Sequence, residues 1–533
     1  MSITRRGVLK IGAAGALGAA GIAVPLGRSV QTKAASALDS SKLPKPFRTE
    51  FAVPPVLTPD TTGINGYGKP CAQYTVTQKL GWADILPGGL RTPVLGYNGS
   101  FPGPTISVDQ GTQVELRVRN RLPATHPSHG HPLNTSTHLH GSASKPQYDG
   151  YASDVTYPGH VKTYKYPNFQ PARTLWYHDH GVHYTAENAY SGLAAQYHLH
   201  DPVERALLPQ GEFDVPLTNT DAMFAADGSL AYDDNSHSGL WGDVVLVNGR
   251  PWPVMKVKRR VYRFRILNAS IARSYRLQLS TKDPVTMVAT DGGLMPVAQQ
   301  VANWRHGGAE RYEVLVDFSK YKAGQRVELL NLSNKNNVDY VDTGKVMAFD
   351  VVDDRFDTLN NTVPTTLVGS APMALTANLA KKTRSIRVKR TADVWTLNDM
   401  SWHDVVASDY TAVIADPDLN DVEIWEIENK SGGWFHPVHI HLVDFQVLSR
   451  NGGAPFAYER GPKDVVYVGE NETVKVLMKF EHQRGKYMVH CHNLPHEDHD
   501  MMHQFSVGLK NGAVDPDDPI KAEPCKWDND PSA

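Results

Sequence analysis

The chain has 533 residues, of which 41% are hydrophobic and 21% are charged, a composition typical of a soluble globular protein. Lysine and arginine (54) nearly balance aspartate and glutamate (56), and the formal net charge is -2. This balance gives no sign of the basic stripe that nucleic-acid binding requires, so we expect no nucleic-acid partner. The length exceeds one ordinary hydrophobic core and predicts about two to four domains.

Residues 1–37 are predicted to be an export signal rather than part of the fold. Arg5 and Arg6 begin a motif similar to the twin-arginine signal, and a run rich in glycine and alanine follows at residues 11–26. Residues 35–37 offer a cleavage site with small residues on both sides. We therefore expect the twin-arginine machinery to export the precursor to the periplasm or the medium. No other segment approaches the roughly 18 apolar residues of a membrane span, so none is expected in the mature protein.

The rest of the chain divides into three blocks of strand-like sequence. The predicted bounds are residues 38–203 with an N-terminal leader, residues 204–355, and residues 384–533 with a C-terminal tail, with a polar linker at residues 356–383. Residues 113–119 alternate polar and apolar side chains, the period of a strand with one buried face. Comparable apolar runs occupy residues 261–267, 313–318, 422–427 and 473–478. The sequence predicts an all-β fold of three sandwich or barrel domains.

Histidine pairs of the form His-x-His carry the chemistry. Chance placement would give about one such pair in a chain of this composition, so a single pair means little. Four pairs lie in patterned segments near the two ends of the mature chain: His138/His140, His178/His180, His439/His441 and His490/His492. On a strand, residues i and i+2 face the same side about 7 Å apart, which suits neighbouring metal ions. Imidazole alone does not choose among copper, zinc, iron and nickel.

Cys491 narrows the choice of metal. On an extended segment its side chain points away from the two histidines that flank it, so one strand can serve two metal sites. Cysteine with two histidines and a weak axial methionine forms a blue-copper electron-transfer site. The other groups of such a site are available at His496, Met501 and, from an earlier segment, His436. The covalent path from Cys491 to its neighbours would join a one-electron site to a multi-metal site.

These segments resemble the four copper motifs of multicopper oxidases. The motifs lie at residues 138–141, 176–180, 436–442 and 490–501, and residues 98–106 resemble the first-domain signature of the family. The resemblance extends across nearly the whole mature chain and is strongest to the bilirubin oxidase and bacterial spore-coat laccase branch. It implies three cupredoxin domains with a three-copper cluster between the first and third. It also implies an oxidase that takes single electrons from a donor and reduces dioxygen to water.

The resemblance further implies four copper ions and assigns their ligands. A type 1 copper would bind His436, Cys491, His496 and Met501. A type 2 copper would bind His138 and His439. A pair of type 3 coppers would bind His140, His178, His180, His441, His490 and His492. The remaining histidines are expected on surfaces or around these ligands, among them His126, His129 and His131.

Two acidic residues are candidates for proton delivery, because reduction of dioxygen to water consumes protons that a carboxylate can carry. Glu497 directly follows His496, and Asp149 follows the first histidine motif. Both match acidic residues that the related oxidases use near the oxygen cluster. The alternative for Glu497 is a helix-turn carboxylate, and for Asp149 a turn residue before Gly150.

The electron donor is the least constrained feature. Trp434 precedes His436 by two residues and either stacks on a flat donor or only packs. An aromatic, phenolic or bilirubin-like donor is expected. A cuprous-ion oxidase and an aminophenol-coupling oxidase of pigment biosynthesis remain as alternatives, although 12 methionines without a cluster count against the first. A metal-free scaffold would lack ligands, and a copper nitrite reductase would not need eight paired histidines. A monomer is the default expectation.

Only three cysteines are present, too few for a disulfide framework. Apart from Cys491 these are Cys71 and Cys525, near the two ends of the mature chain. In an oxidising compartment they can pair and fix the C-terminal tail to the first domain, or they can remain two thiols.

Overall fold

The computed structural model describes residues 30–31, 35–368, 371–510, 513–515, 517–521 and 525–529. The predicted twin-arginine motif, and most of the predicted export signal, lie outside these residues. Within them, residues 35–37 of the predicted cleavage site pack on the protein, where the Ser36 hydroxyl donates to Asp243 over 2.6 Å. Among the described residues, no helix is long and apolar enough to cross a membrane.

The first unit consists of ten strands and one short helix. The strands are β1 (Val30–Gln31), β2 (Thr61–Ile64), β3 (Pro70–Ala83), β4 (Thr92–Tyr97), β5 (Ile106–Asp109), β6 (Gln113–Asn120), β7 (Thr137–His140), β8 (His160–Tyr166), β9 (Arg173–Asp179) and β10 (Ala194–His200). The helix α1 (Thr185–Ser191) lies between β9 and β10. One sheet has the order β5-β10-β9-β7, and the other contains β2, β3, β6 and β8, with β4 paired to β3. Side chains of both sheets share one apolar core.

The second unit begins after α2 (Pro202–Leu207) and is a second pair of sheets. Its strands are β11 (Asp214–Ala222), β12 (Val244–Val247), β13 (Arg250–Pro251), β14 (Val254–Lys258), β15 (Val261–Asn268), β16 (Tyr275–Leu279), β17 (Val285–Thr290), β18 (Gly293–Val301), β19 (Trp304–His306), β20 (Arg311–Asp317), β21 (Arg326–Asn331), β22 (Asp339–Tyr340) and β23 (Lys345–Val352). The sheets have the orders β13-β12-β11-β15-β20-β17-β18 and β14-β23-β21-β16-β19. Strand β22 pairs instead with β1.

The third unit follows two short 3₁₀ turns at Ala371–Ala374 and Ala377–Leu379. Its elements are β24 (Lys382–Thr391), β25 (Val394–Leu397), α3 (Trp402–Ala407), β26 (Val422–Asn429), β27 (His436–Ile440), β28 (Phe445–Arg450), β29 (Val465–Val468), β30 (Thr473–Lys479), β31 (Gly485–Cys491), α4 (Leu494–Asp498) and β32 (Met502–Val507). The two sheets have the orders β25-β24-β26-β30-β28 and β29-β27-β31-β32. Strand β24 starts at Lys382, two residues before the predicted start of the third domain at residue 384.

The prediction of an all-β fold is confirmed, and the predicted apolar runs fall in β6, β15, β20, β26 and β30. In β26, inward side chains such as Trp425 and Ile427 are buried and alternate with more exposed neighbours, as the period-two pattern requires. A parallel pair recurs in each unit, as β3 with β6, β14 with β23 and β24 with β26. The three units thus repeat one mixed-sheet arrangement.

The C-terminal tail joins the first unit through a strand rather than through sulfur. Strand β33 (Lys526–Trp527) pairs with β8, and the buried Asp528 beside it forms ion pairs with the side chains of Arg117, Arg119 and Arg121. Cys71 and Cys525 are both free thiols. Of the two sequence alternatives, the structure therefore shows the unpaired one. Backbone pairing and ion pairs attach the tail.

Arg311 connects the second unit to the third beside the histidine motifs. Its side chain is fully buried, and it donates to both carboxylate oxygens of Asp464 over 2.6 Å. Asp464 in turn accepts the Nε2–H of His140, from the first unit, over 3.1 Å. Because the ion pair lies out of water, each partner depends on the other for its charge balance.

We predict that Arg311→Met lowers the free energy of unfolding by about 3–5 kcal/mol, because the Asp464 carboxylate stays buried without its cation. Arg326→Met is the matched control: Arg326 pairs with Asp350 on the surface, where the two side chains are 42% and 39% exposed. It is expected to cost less than about 1 kcal/mol. Urea unfolding midpoints measure both effects. Equal losses of unfolding free energy in the two variants would contradict the assignment of Arg311 to a buried ion pair that connects the second and third units.

Candidate metal centres

The eight paired histidines converge where the β7/β9 sheet of the first unit meets the β27/β31 sheet of the third. Register explains the convergence: His138 lies opposite His178 in one sheet, and His439 lies opposite His490 in the other. Rings from the two units then stack on each other, with centroids 4.0 Å apart for His138 and His441. All eight side chains are at most 1% exposed. The structure thus brings together every histidine that the sequence predicted for the cluster.

The inner nitrogens of these imidazoles form compact groups of three, and His140 belongs to two of them. Within each group the possible ligand atoms lie within 4.8 Å of one another, and the groups are His138/His140/His439, His140/His178/His492 and His180/His441/His490. Five inward nitrogens have no hydrogen-bond partner: His138 Nε2, His140 Nδ1, His178 Nε2, His439 Nε2 and His492 Nε2. In the third group, His490 Nε2 lies 3.2 Å from His180 Nε2 and 3.1 Å from His441 Nε2. Unpartnered buried nitrogens that converge in this way fit metal ligands.

The outer nitrogens of several of these rings, by contrast, have fixed acceptors. His439 Nδ1–H donates to the carbonyl oxygen of Asp464 over 2.8 Å, and His178 Nδ1–H donates to that of Asp179 over 2.7 Å. His138 Nδ1–H donates in the same way to the carbonyl oxygen of Asp149. Since a neutral imidazole carries one N–H, these bonds leave each inner nitrogen with a free lone pair.

Burial keeps these rings neutral. Desolvation, with the nearby imidazoles, lowers the pKa of His178 to about 3, and desolvation lowers the pKa of His180 to about 4. A protonated imidazole cannot bind a metal. The buried interface therefore keeps the histidines in the neutral form, which can bind one.

A second centre lies on the opposite side of strand β31. The Cys491 sulfur is 3.3 Å from His436 Nδ1 and 3.7 Å from His496 Nδ1, and the two histidine nitrogens are 3.3 Å apart. These three side chains and that of Met501 are fully buried. Burial raises the pKa of the Cys491 thiol and lowers the pKa of His436 to about 3. One sulfur and two imidazoles at these distances match the donors of a blue-copper site.

Glu497 and Asp149 both touch the eight-histidine cluster. Glu497, on α4, places Oε2 2.8 Å from His490 Nδ1 and Oε1 3.3 Å from His180 Nδ1. Asp149 accepts the Nδ1–H of His441 over 2.7 Å, and burial raises its pKa. Glu497 lies in a short helix and Asp149 in a turn before Gly150, the positions of the two structural alternatives, and both carboxylates face the cluster.

Trp434 is half-buried at the edge of the sulfur-containing centre. Its ring stands edge-on to His496, with centroids 5.7 Å apart, and also contacts Trp395. Trp395 stacks on His496 at 3.8 Å, and His496 Nε2–H donates to the carbonyl oxygen of Ser238 over 3.0 Å. No sequence pattern pointed to Trp395 or Ser238, because neither lies in a metal motif. The same holds for Asp464 beside the histidine cluster.

Comparison with known proteins places these centres in a family. Two family models described as multicopper oxidase match residues 79–204 and 376–511. The chain is 41% identical to a bilirubin oxidase of Albifimbria verrucaria over 86% of this chain and 81% of that protein. It is 34% identical to a laccase of Bacillus subtilis over 84% of this chain and 97% of that protein.

Solved structures agree with the sequence relatives. The McoA multicopper oxidase of Aquifex aeolicus matches with a TM-score of 0.76 and 28% identity, over 86% of this chain and 99% of that chain. A multi-copper oxidase of Pediococcus acidilactici matches with a TM-score of 0.75 and 30% identity, over 91% and 99%. The chain therefore belongs to the multicopper oxidase family: it is a copper-binding oxidoreductase with dioxygen as electron acceptor, built from cupredoxin-like domains.

Proposed function

We propose that the chain holds four copper ions in the two centres. The type 1 ligands are His436, Cys491, His496 and Met501. The type 2 ligands are His138 and His439. The type 3 ligands divide into two triads, His140/His178/His492 and His180/His441/His490. The observation that carries the proposal is the set of inner nitrogens with free lone pairs and outer N–H groups with fixed acceptors.

Copper bound at these sites supplies one-electron acceptance at the cysteine centre and reduction of dioxygen to two waters at the histidine centre. Strand β31 connects the two, because Cys491 belongs to one centre and its neighbours His490 and His492 belong to the other. The path between the centres is therefore covalent and short. The surrounding burial excludes water from the eight-histidine centre.

We propose that Glu497 and Asp149 deliver protons to the eight-histidine centre. Each carboxylate is almost fully buried and faces an imidazole of a type 3 triad: Glu497 Oε2 lies 2.8 Å from His490 Nδ1, and Asp149 accepts the Nδ1–H of His441. Only one imidazole ring therefore separates a proton on either carboxyl group from the proposed copper cluster.

The donor is proposed to be an aromatic or phenolic molecule or a bilirubin-like pigment. The similarity of the chain to a bilirubin oxidase and a laccase supports this range. Trp434 supports it too, because its half-buried ring lies edge-on to His496 and offers a flat donor a stacking surface. Export by the twin-arginine route is proposed on the Arg5–Arg6 motif alone.

The central test is metal content and absorption, followed by oxygen uptake. We expect about four coppers per chain and an intense blue thiolate band. Oxygen uptake with a phenol, with bilirubin and with Cu(I) then ranks the donors. A colourless protein that stays colourless after incubation with copper would remove the proposal.

We predict that Gly150→Ala lowers the copper content of the histidine centre. Gly150 has a φ of +77°, and an added Cβ would lie 2.6 Å from the backbone nitrogen and Cα of His138. The backbone of β7 must therefore shift. Gly111→Ala is the control, because Gly111 has a φ of +85° but no atom within 4 Å of an added Cβ. It should cost about 1–2 kcal/mol of conformational strain and keep its copper. Metal analysis that finds equal copper in both variants would contradict the prediction.

We predict that Glu497→Gln slows oxygen reduction by about 10²- to 10⁴-fold, the usual range for a lost proton donor, while the blue band stays. Glu459→Gln is the control, since Glu459 is also buried but pairs with Arg450 away from both centres. Stopped-flow reoxidation of the reduced enzyme across pH measures the effect. A native rate and pH profile in Glu497→Gln would remove its assigned role.

We predict that Trp434→Leu raises the KM for aromatic donors by about two- to tenfold, because an aromatic pair contributes about 0.5–1.5 kcal/mol. The KM for an inorganic one-electron donor such as hexacyanoferrate should stay near the native value. Trp82→Leu is the control, since Trp82 is 51% exposed on β3. If the KM for the aromatic donor and the KM for the inorganic donor change equally, Trp434 only packs and does not bind the donor.

A further inference from the structure

Four side chains outside the two centres form a compact group beside α1. His126, His129 and His131 come from the loop between β6 and β7, and Glu187 lies on α1. Their possible ligand atoms all lie within 4.8 Å of one another. Glu187 is 6% exposed, whereas the His129 side chain is 40% exposed. The group thus combines a desolvated carboxylate with an opening to solvent.

The tautomer of His131 is fixed by its own loop. Its Nδ1–H donates to the carbonyl oxygen of Pro132 over 3.1 Å, so the lone pair of the neutral ring lies on Nε2. That nitrogen is 2.7 Å from Glu187 Oε2. Two lone pairs repel at this distance unless a proton or a metal cation lies between them. The ring is held in place by Tyr184, which stacks on it at 4.1 Å.

His129 repeats the arrangement on the other carboxylate oxygen. Its Nδ1 contacts Glu187 Oε1, and its ring lies parallel to that of His126 at 4.8 Å. Glu187 therefore faces an imidazole nitrogen with each oxygen. Without a metal each contact needs a proton: His129 can supply one as a neutral ring with its proton on Nδ1, whereas His131 can supply one only as an imidazolium, because its Nδ1–H already donates to Pro132.

His126 has a different role. Its Nδ1 accepts the backbone N–H of Ser128 over 3.2 Å, so the neutral ring carries its proton on Nε2. That nitrogen lies 3.5 Å from Glu187 Oε1 and faces it as a donor. His126 thus orients the carboxylate and packs against the rings of His129 and His131.

We propose that His129, His131 and Glu187 bind a divalent transition-metal ion of the kind of Zn²⁺ and Co²⁺, with His126 as a positioning residue. Two imidazoles and a carboxylate are the donor types that these ions take in proteins, and water can complete the coordination at the open side. The outer N–H of His131 on a carbonyl oxygen is the support that metal-bound histidines usually have. This proposed site is separate from the two copper centres.

The bound ion would connect the surface loop to the sulfur-containing centre through α1. The backbone N–H groups of Thr185 and Ala186 donate to the carboxylate of Asp498 over 2.9 and 2.8 Å. Asp498 ends α4, which carries His496 and Glu497. An ion on Glu187 therefore restrains the helix that holds α4 in place.

The test titrates the copper-loaded enzyme with Zn²⁺, and separately with Co²⁺, at neutral pH. Calorimetry should give one equivalent bound to this site, and Co²⁺ should add visible d–d absorption, while the copper content and the blue band stay constant. Affinity should fall as the pH is lowered, because protons compete for the imidazoles.

Substitutions of the proposed ligands test which side chains bind the ion. Glu187→Gln and His131→Asn should abolish the bound equivalent, and His126→Asn should weaken it about tenfold, as loss of an outer contact does. The His129 side chain is 40% exposed, so His129→Asn should fold. This variant still tests the loss of a ligand if a substitution at a buried position prevents folding. His403→Asn, at an exposed histidine on α3, is the control and should bind as the native enzyme does. No bound equivalent in the native enzyme, or an equivalent that survives both His129→Asn and His131→Asn, would overturn the proposal.

Discussion

The eight imidazoles between the first and third units must stay uncharged while they lie out of water. Two features of the fold meet this requirement together. Burial lowers the pKa of rings such as His178, and main-chain carbonyls or carboxylates take the outer N–H of the rings that have one fixed. An imidazole in this state has only one free lone pair, and that pair points inward. The bonds to the outer N–H groups therefore decide which nitrogen of each ring can bind a metal ion.

The same requirement explains the charged groups around the interface. Asp464 bonds through its carboxylate to His140 and through its carbonyl oxygen to His439, so one residue fixes rings from two units. Its charge is matched by Arg311 from the second unit, which has no histidine in either centre. The second unit therefore supplies no imidazole to the cluster but neutralises a carboxylate that supports it. A buried carboxylate near metal ligands without such a cation would carry a large desolvation cost.

The side chains of the site could be predicted from the sequence, but their grouping could not. Spacing of two residues on a strand places His490 and His492 on one face and Cys491 on the other, and this is a local property of the chain. The division of six histidines into two triads depends on how sheets of distant units dock, which no local pattern records. Trp395 and Asp464 were missed for the same reason. Strand β33 was missed because its two residues pair only once β8 is present.

The raised pKa of Cys491 has a consequence for the chain before copper arrives. A thiolate, not a thiol, attacks disulfides and reacts readily with oxidants. Buried and protonated, Cys491 is chemically quiet, and the more accessible Cys71 and Cys525 are the sulfurs that an oxidising compartment would reach first. The desolvation that makes the sulfur a selective copper ligand thus also protects it from mispairing, and metal binding itself is the event that removes its proton.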